Sequence, residues 1–338
     1  MNLLPSKYRF VPVVLMLLAA VSVFTPVVDD PGLQQTFAVA FLFAALALTY
    51  DLLLGFTGLL SFGHSLFYAA GAYGAAYAMA RWEWQIIPAT IFALFFATAI
   101  ALFTGATALR VKGIAFAMVT LAFAEAGHVI ATLNLWGLSN GDITLQLRPE
   151  SVPEFFLGVN NTRNLFLLSL ITLAIIYLAV WWLTQSSVGR VWQALRENEE
   201  RVSVLGLRPF SFKLIAFVLA GVMAAFVGVV AVIVTNNANP SMGSTGTTIS
   251  LLLMVILGGI ATRWGAVIGG VLYVVLSQRL TTLNTEGALS SFPEWIGGPM
   301  SEPAFILGVI FILVVMFSPG GIAGALYRLK MKFGSSVK

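Results

Sequence analysis

A helix needs about twenty consecutive apolar residues to cross the roughly 30 Å hydrocarbon core of a bilayer, and this chain supplies apolar runs almost end to end. They fall at Phe10–Val28, Leu33–Leu54, Leu60–Met79, Ile86–Leu109, Gly113–Leu133, Asn164–Leu183, Leu214–Val234, Ile249–Ala261, Gly265–Leu276 and Ala304–Phe317. Backbone N–H and C=O groups in hydrocarbon must be satisfied within the segment, so such runs fold as helices. The expected fold is an all-α polytopic membrane protein of about ten transmembrane helices. The eighth and ninth runs are short and are separated by only Thr262, Arg263 and Trp264, so one broken or re-entrant element is an equal alternative. Charged residues make up 9% of the chain, against about a quarter in soluble proteins, which excludes a soluble globule.

Several function classes fall away with it. The pI of 9.4 reflects basic residues scattered between apolar spans, not a basic face for nucleic acid. There is no cysteine for a disulfide or thiolate site. The two histidines, His64 and His128, form no zinc constellation, and no P-loop pattern occurs. The chain is therefore expected to bind no cofactor of its own. The first apolar run follows Lys7 and Arg9 like a signal sequence, but Ser22–Asp30 lacks a small-x-small cleavage pattern, so it counts as a span.

Basic residues set the orientation. Ten spans place Lys7, Arg9, Arg110, Lys112, Arg190, Arg196, Arg201, Arg208, Lys213, Arg263, Arg328, Lys330, Lys332 and Lys338 on one side, and only Arg81, Arg148, Arg163 and Arg279 on the other. The first side, with both termini, is expected to be cytoplasmic. The acids lean outward: Asp29, Asp30, Glu83, Asp142, Glu150, Glu154, Glu286, Glu294 and Glu302. Residues 1–338 thus read as one transmembrane domain, with polar extracytoplasmic loops at 134–163 and 281–303.

The longest charged run, Ser186–Lys213, lies on the cytoplasmic side. Val191, Trp192, Leu195, Val202 and Leu205 recur at helical spacing, while Arg196, Glu197, Glu199, Glu200 and Arg201 fall mostly elsewhere, which predicts a short amphipathic helix outside the bilayer. Gly206 and Pro209 stop it. A solvated loop that merely keeps its charges in the cytoplasm is the competing reading.

Two glycine-interrupted segments, one beginning Leu54-Gly-Phe-Thr-Gly58 and the other Leu257-Gly-Gly-Ile-Ala-Thr262, suggest an internal duplication. Discontinuous helices of this kind form transport pathways, although close helix packing is glycine's commoner membrane role. Within the spans, Glu125 and His128 share one helix face, and ionisable groups there face a cavity or a partner. They either pair with each other or line a path. Ser61, His64 and Ser65 sit in the first glycine-rich segment, and Asp51 reads as an interface residue. No catalytic constellation emerges.

The segment GFTGLLSFGHSLFYAAGAYGAAYA resembles that of the LivM-type permeases of branched-chain amino acid ABC transporters, and TLAFAE resembles their next membrane motif. GRVWQALRENEERVSVLGL followed by KLIAFVLAG is similar to their cytoplasmic coupling segment, and ILGGIATRWGAVIGG to their late glycine motif. The likeness runs from Ala38 to Gly321. It implies a bacterial inner-membrane subunit that pairs with a second homologous permease and binds two cytoplasmic ATPase subunits, which carry the ATP and magnesium. It also implies that substrate arrives from an extracytoplasmic solute-binding protein.

By the same likeness Arg196, Glu197, Asn198, Glu199 and Gly206 belong to the coupling segment, 186–213, and Ser61, His64, Glu125, His128, Gly258 and Gly259 to the translocation pathway. The chain departs from the family at Leu138-Ser-Asn-Gly-Asp142, where a T-G-G-type turn is common, and at Ala261-Thr-Arg-Trp264, where G-T-x-x-G is common. Relatives of this type carry urea, short amides or other small polar solutes as well as amino acids. The competing expectations are a self-sufficient secondary transporter or channel using Glu125 and His128 as a relay, and, more remotely, an intramembrane enzyme acting on lipid.

Overall fold

The computed structural model describes residues 30–134, 137, 139–141, 144–156, 161–285, 303–318 and 320–334. The span expected at Phe10–Val28, the basic residues Lys7, Arg9 and Lys338, and the acidic residues Asp29, Asp142, Glu286, Glu294 and Glu302 lie outside that range, as does most of the loop expected at 281–303.

Each of the other nine apolar runs falls on a helix. In chain order the helices are α1 (Pro31–Asp51), α2 (His64–Arg81), α3 (Ile86–Ala108), α4 (Ile114–Thr132), α5 (Thr162–Gln185), α6 (Ser187–Glu197), α7 (Glu199–Val204), α8 (Pro209–Thr235), α9 (Thr245–Gly258), α10 (Arg263–Thr285), α11 (Pro303–Phe317) and α12 (Gly321–Gly334). Among the described residues six are long and apolar enough to cross a membrane: α1 with its extension to Thr57, α3, α4, α5, α8 and α10. The fold is that of an all-helical multi-pass membrane protein. The eighth and ninth runs are two separate helices, α9 and α10, joined by a turn in which Ala261 has φ +61°.

Local chemistry explains most boundaries. Asp30 caps α1 by accepting from Gly32 N–H at 2.8 Å, and Pro31 occupies the first helical position, where its missing N–H costs nothing. Pro209 likewise opens α8, five residues ahead of the expected start at Leu214. It begins the next span and does not stop the preceding helix. Gly206 is at φ +81°, the left-handed conformation that turns the chain after α7.

The second run departs most from a simple helix. After Asp51 the chain winds as a π-helical turn, Leu52–Thr57, then reverses at Gly58 with φ +76°. It climbs back non-helically to His64, four residues beyond the expected start at Leu60. Irregular backbone at this depth survives because its donors find partners: Leu59 N–H bonds the Leu53 carbonyl at 2.9 Å and Phe62 N–H bonds Thr120 Oγ1 at 3.1 Å.

Helices α1 and α8 form the buried axis, with α2 wedged between α8 and α3. Lipid is as apolar as leucine, so association here rests on close packing of small residues. Ala72, Ala75 and Ala76 of α2 and Ala220, Ala224 and Ala225 of α8 are all fully buried. Phe67 meets Phe217 edge to face, 5.2 Å between centroids. Beyond the C-terminal end of α2 the described part of the 134–163 segment is anchored, not free: β1 (Leu145–Gln146) pairs antiparallel with β2 (Asn237–Ala238), and Ser151 Oγ donates to the Met79 carbonyl at 2.9 Å.

Candidate functional site

Two interrupted segments meet inside the bundle. The first is the climb into α2; the second is Asn236–Ser244, which leaves α8 at Asn236 (φ +56°), passes through a 3-10 turn at Pro240–Gly243 and enters α9. The N-termini of α2 and α9 come together there. Ser65 N–H donates to Thr248 Oγ1 and Ser65 Oγ donates to the Gly243 carbonyl, both at 3.1 Å. Ser61, His64, Ser65 and Thr248 are fully buried. The chain is thus also interrupted at Asn236–Ser244; the break expected at Leu257–Thr262 is the turn between α9 and α10, at the other end of α9 from this junction.

Helix α4 closes this junction from the side. Thr120 Oγ1 accepts from Phe62 N–H and donates to Ala117 O at 2.9 Å. One turn further on, the Glu125 carboxylate accepts the hydroxyl of Thr245, the first residue of α9. A carboxylate at a helix N-terminus is stabilised by the unpaired N–H groups and the dipole. His128 Nδ1 donates to the Pro240 carbonyl at 3.0 Å. Glu125 and His128 thus do not pair with each other; each holds a different point of the second interrupted segment.

His64 starts α2 with its ring against Tyr50, 5.4 Å between centroids, and Nε2 2.8 Å from Thr49 Oγ1. Because that hydroxyl donates to Leu46 O at 2.7 Å, Nε2 carries the proton and donates. Gly258 and Gly259 stand at the opposite end of α9 from Thr245. An added Cβ at Gly258 would lie 2.0 Å from Gly265 O, and one at Gly259 would lie 2.7 Å from Gly320 O. The structure brings Ser61, His64, Glu125 and His128 to the junction and leaves both glycines in a helix-packing notch. Thr120, Thr245, Thr248 and Pro240 were not among the sequence candidates. The signal for the last three was the polar stretch Asn236-Asn-Ala-Asn-Pro240 directly after the most apolar of the bilayer-length spans.

A cavity of about 960 Å³ runs from Phe62 and Ala117 to Arg110, Lys112, Arg196, Glu199 and Lys213. Its far wall is the charged segment, which folds as two helices, not one. Ser186 caps α6 through Gly189 N–H at 3.1 Å, and Asn198, extended at φ −160°, caps α7 through Arg201 N–H at 2.9 Å. Trp192, Leu195 and Val202 are buried, and Trp192 Nε1 donates to Phe212 O at 2.8 Å. The break at Asn198 shifts the register, so Leu205, expected on the apolar face, is 78% exposed beside Val204 at 86%.

The five coupling candidates divide accordingly. Arg196 points inward and donates to the Gly55 carbonyl, Asn198 caps, Glu199 is tied down, Gly206 turns the chain, and Glu197 is exposed. Glu200, Arg201, Val204 and Leu205 share the outward face with Glu197.

Glu199 Oε2 lies 2.8 Å from Lys213 Nζ and 3.4 Å from Lys112 Nζ. Burial pushes its carboxyl pKa up, but the bond and charge of Lys213, followed by those of Lys112, outweigh this and hold it below the usual glutamate range. A lowered folded pKa contributes stability above the unfolded value, and that contribution is lost as pH falls through the folded value. The tether of α7 is therefore expected to be constant through neutral pH and to release only in acid below the normal glutamate range. Glu199→Gln should mimic the acid state at pH 7. An ion pair of this kind is worth about 0.2–1 kcal/mol, so amide exchange over Glu199–Val204 should quicken by about 1.4- to 5-fold. Unchanged exchange would show that the tether contributes nothing.

Residues 32–315 match the family model described as the permease component of branched-chain amino acid transport systems. The chain is 25% identical to the high-affinity branched-chain amino acid transport system permease protein LivM of Salmonella typhimurium, over 95% of this chain and 77% of that one. It is 24% identical to the corresponding permease protein BraD of Pseudomonas aeruginosa, over 83% and 91% respectively. It is also 27% identical to the autoinducer 2 import system permease protein LsrC of Escherichia coli O9:H4, over 59% of this chain and 57% of that one. No solved structure gives a significant match. Because the family match spans most of the chain, from the start of α1 to within α11, the protein belongs to the LivM-type permease components of branched-chain amino acid transport systems.

Proposed function

We propose that this chain is a membrane permease subunit of an ATP-driven ABC importer that moves a branched-chain amino acid, or a similar small zwitterionic solute, from an extracytoplasmic binding protein into the cytoplasm. The observation that carries the reading is the junction at which the N-termini of α2 and α9 meet, with the Glu125 carboxylate bonded at the start of α9, inside a bundle of bilayer-length helices. Helix N-termini favour a negative group and a carboxylate favours a positive one, so the site offers both halves of a zwitterion a partner. ATP and magnesium belong to two cytoplasmic ATPase subunits, and this chain supplies the lever they push.

The family match and the names of the relatives support the importer class. Clustering of Arg110, Lys112, Arg196 and Lys213 at one end of the bundle supports placing that end in the cytoplasm of a bacterial inner membrane, with both termini on the same side. The outward face of Glu197, Glu200, Arg201, Val204 and Leu205 is the surface offered to the ATPases. Helix α4 carries Glu125 and His128 on a flank only partly covered by this chain. Ionisable groups do not face lipid, so a second homologous permease covers that flank and completes the path. At the outer end the β1–β2 pair connects the loop that receives the binding protein to the segment holding Pro240.

The test is reconstitution of the complete transporter in liposomes with radiolabelled leucine, and with urea and acetamide as separate probes. Uptake of leucine that requires ATP and the binding protein is expected. Uptake by this chain alone under a proton gradient would overturn the reading in favour of a secondary transporter. ATP-dependent uptake of urea or acetamide but not leucine would overturn the zwitterion assignment alone.

A further inference from the structure

Asp51 is a carboxylate with no exposure to solvent, placed at the last residue of α1 where the π-helical turn begins. A charge so placed is expensive unless bonded and paired. One oxygen, Oδ1, accepts the Ala261 N–H at 2.8 Å, a contact between residues 210 positions apart. The other, Oδ2, has no hydrogen-bond partner among the described residues. Arg196 of α6 and Arg263 of α10 both bring positive charge to the carboxylate.

The packing around it is specific. A Cβ at residue 55 would lie 2.1 Å from Asp51 Oδ1 and 2.6 Å from Ala261 N, so the contact exists only because that residue is Gly55. The carbonyl of Gly55 is the acceptor for Arg196. The α6 helix is thus fastened to the π-turn, and the π-turn through Asp51 to the α9–α10 turn. Helix α9, 14 residues long, runs from that turn to Thr245 and Thr248 at the polar junction. A helix of that length spans about 21 Å and transmits a push at one end to the other.

We propose that Asp51 is the positioning residue that carries displacement of the α6–α7 lever to α9, and so to the polar junction, with Arg196 exchanging the Gly55 carbonyl for the open Asp51 Oδ2 as the lever moves. This rests on reading α6–α7 as the segment the ATPases push. Two discrete partners for one guanidinium provide the two-state element that coupling requires. Without the Asp51 link, the lever moves and the junction does not follow.

The chain has no cysteine, so spin labels go only where cysteines are introduced. Two label pairs serve: Ser203→Cys with Ile171→Cys reports the lever against α5, and Ile249→Cys with Ile171→Cys reports α9 against α5. Distances are read in the complete transporter with its ATPase subunits, nucleotide-free and trapped with ATP and vanadate. In the otherwise native sequence both distances are expected to shift. In Asp51→Asn, which keeps an acceptor for Ala261 but removes the charge, the Ser203 shift should persist and the Ile249 shift should drop by more than half.

Both shifts persisting in Asp51→Asn overturns the proposal, and so does loss of both, which would make Asp51 a general structural residue. A Ser203 pair that stays still in the native sequence overturns the lever reading itself, which separates the two failures. If Asp51→Asn is not recovered in the membrane, Arg196→Met, a change outside the buried core, breaks the other side of the link. It is expected to give the same split, and an undiminished Ile249 shift there also overturns the proposal.

Discussion

Uptake through a Glu125→Gln permease is expected to fall roughly 10- to 100-fold with no loss of assembled protein. Glutamine retains an oxygen to accept the Thr245 hydroxyl, so the start of α9 stays in place and the fold is undisturbed. What disappears is the negative charge at the meeting point of the two half-helices. A hydrogen bond to a charged group is worth about 1.5–3 kcal/mol, which corresponds to the stated range when the lost partner is the ammonium of a zwitterionic solute. The variant should also reduce binding-protein-stimulated ATP hydrolysis less than it reduces uptake. Uptake at the native rate would return Glu125 to a purely structural role as the anchor of Thr245.

The second large effect concerns packing. Gly71→Val or Gly228→Val is expected to remove correctly assembled permease from the membrane. The two glycines form a reciprocal notch: a Cβ at Gly71 would sit 2.1 Å from the Ala225 carbonyl oxygen, and one at Gly228 2.1 Å from the Tyr68 carbonyl oxygen. Both obstacles are helix backbone and cannot rotate away, so α2 and α8 must part. Overpacking a well-packed core costs about 1–3 kcal/mol and occasionally more. Here it also unseats His64 and Ser65 at the head of α2. Gly308→Ala, whose added methyl meets nothing within 4 Å, is the matched control and should be neutral. Native yield of a monodisperse Gly228→Val protein in mild detergent would refute the notch.

The two predictions differ in how far the sequence foretold them. Glu125 stood out because a carboxylate inside an apolar run is rare and needs a partner; its spacing from His128 suggested a pair that the fold does not make. The glycines of α2 and α8 gave no comparable warning. Glycine packs helices in membranes far more often than it breaks them, and only coordinates separate Gly71, which admits Ala225, from Gly58, which reverses the chain at φ +76°.

Hydropathy by itself determined that the chain is a bundle of membrane helices, where those helices lie, and which ends carry the basic residues, because these depend on the medium each segment must enter. The family likeness was legible for the same reason that its motifs are local. Which helices form the core was not legible: α1 and α3 are both strongly apolar, yet α1 is buried along most of its length and α3 is largely exposed. Lipid and protein interior are equally apolar, so hydropathy leaves no mark of the difference.

Tertiary structure alone decided the rest. It added an interruption at Asn236–Ser244 and set it beside His64 and Ser65, turned Arg196 inward and Leu205 outward across the break at Asn198, and brought Asp51 to Ala261. Each of these depends on contacts between residues distant in the chain, where the geometry of a shared interior and not the local period chooses the partner.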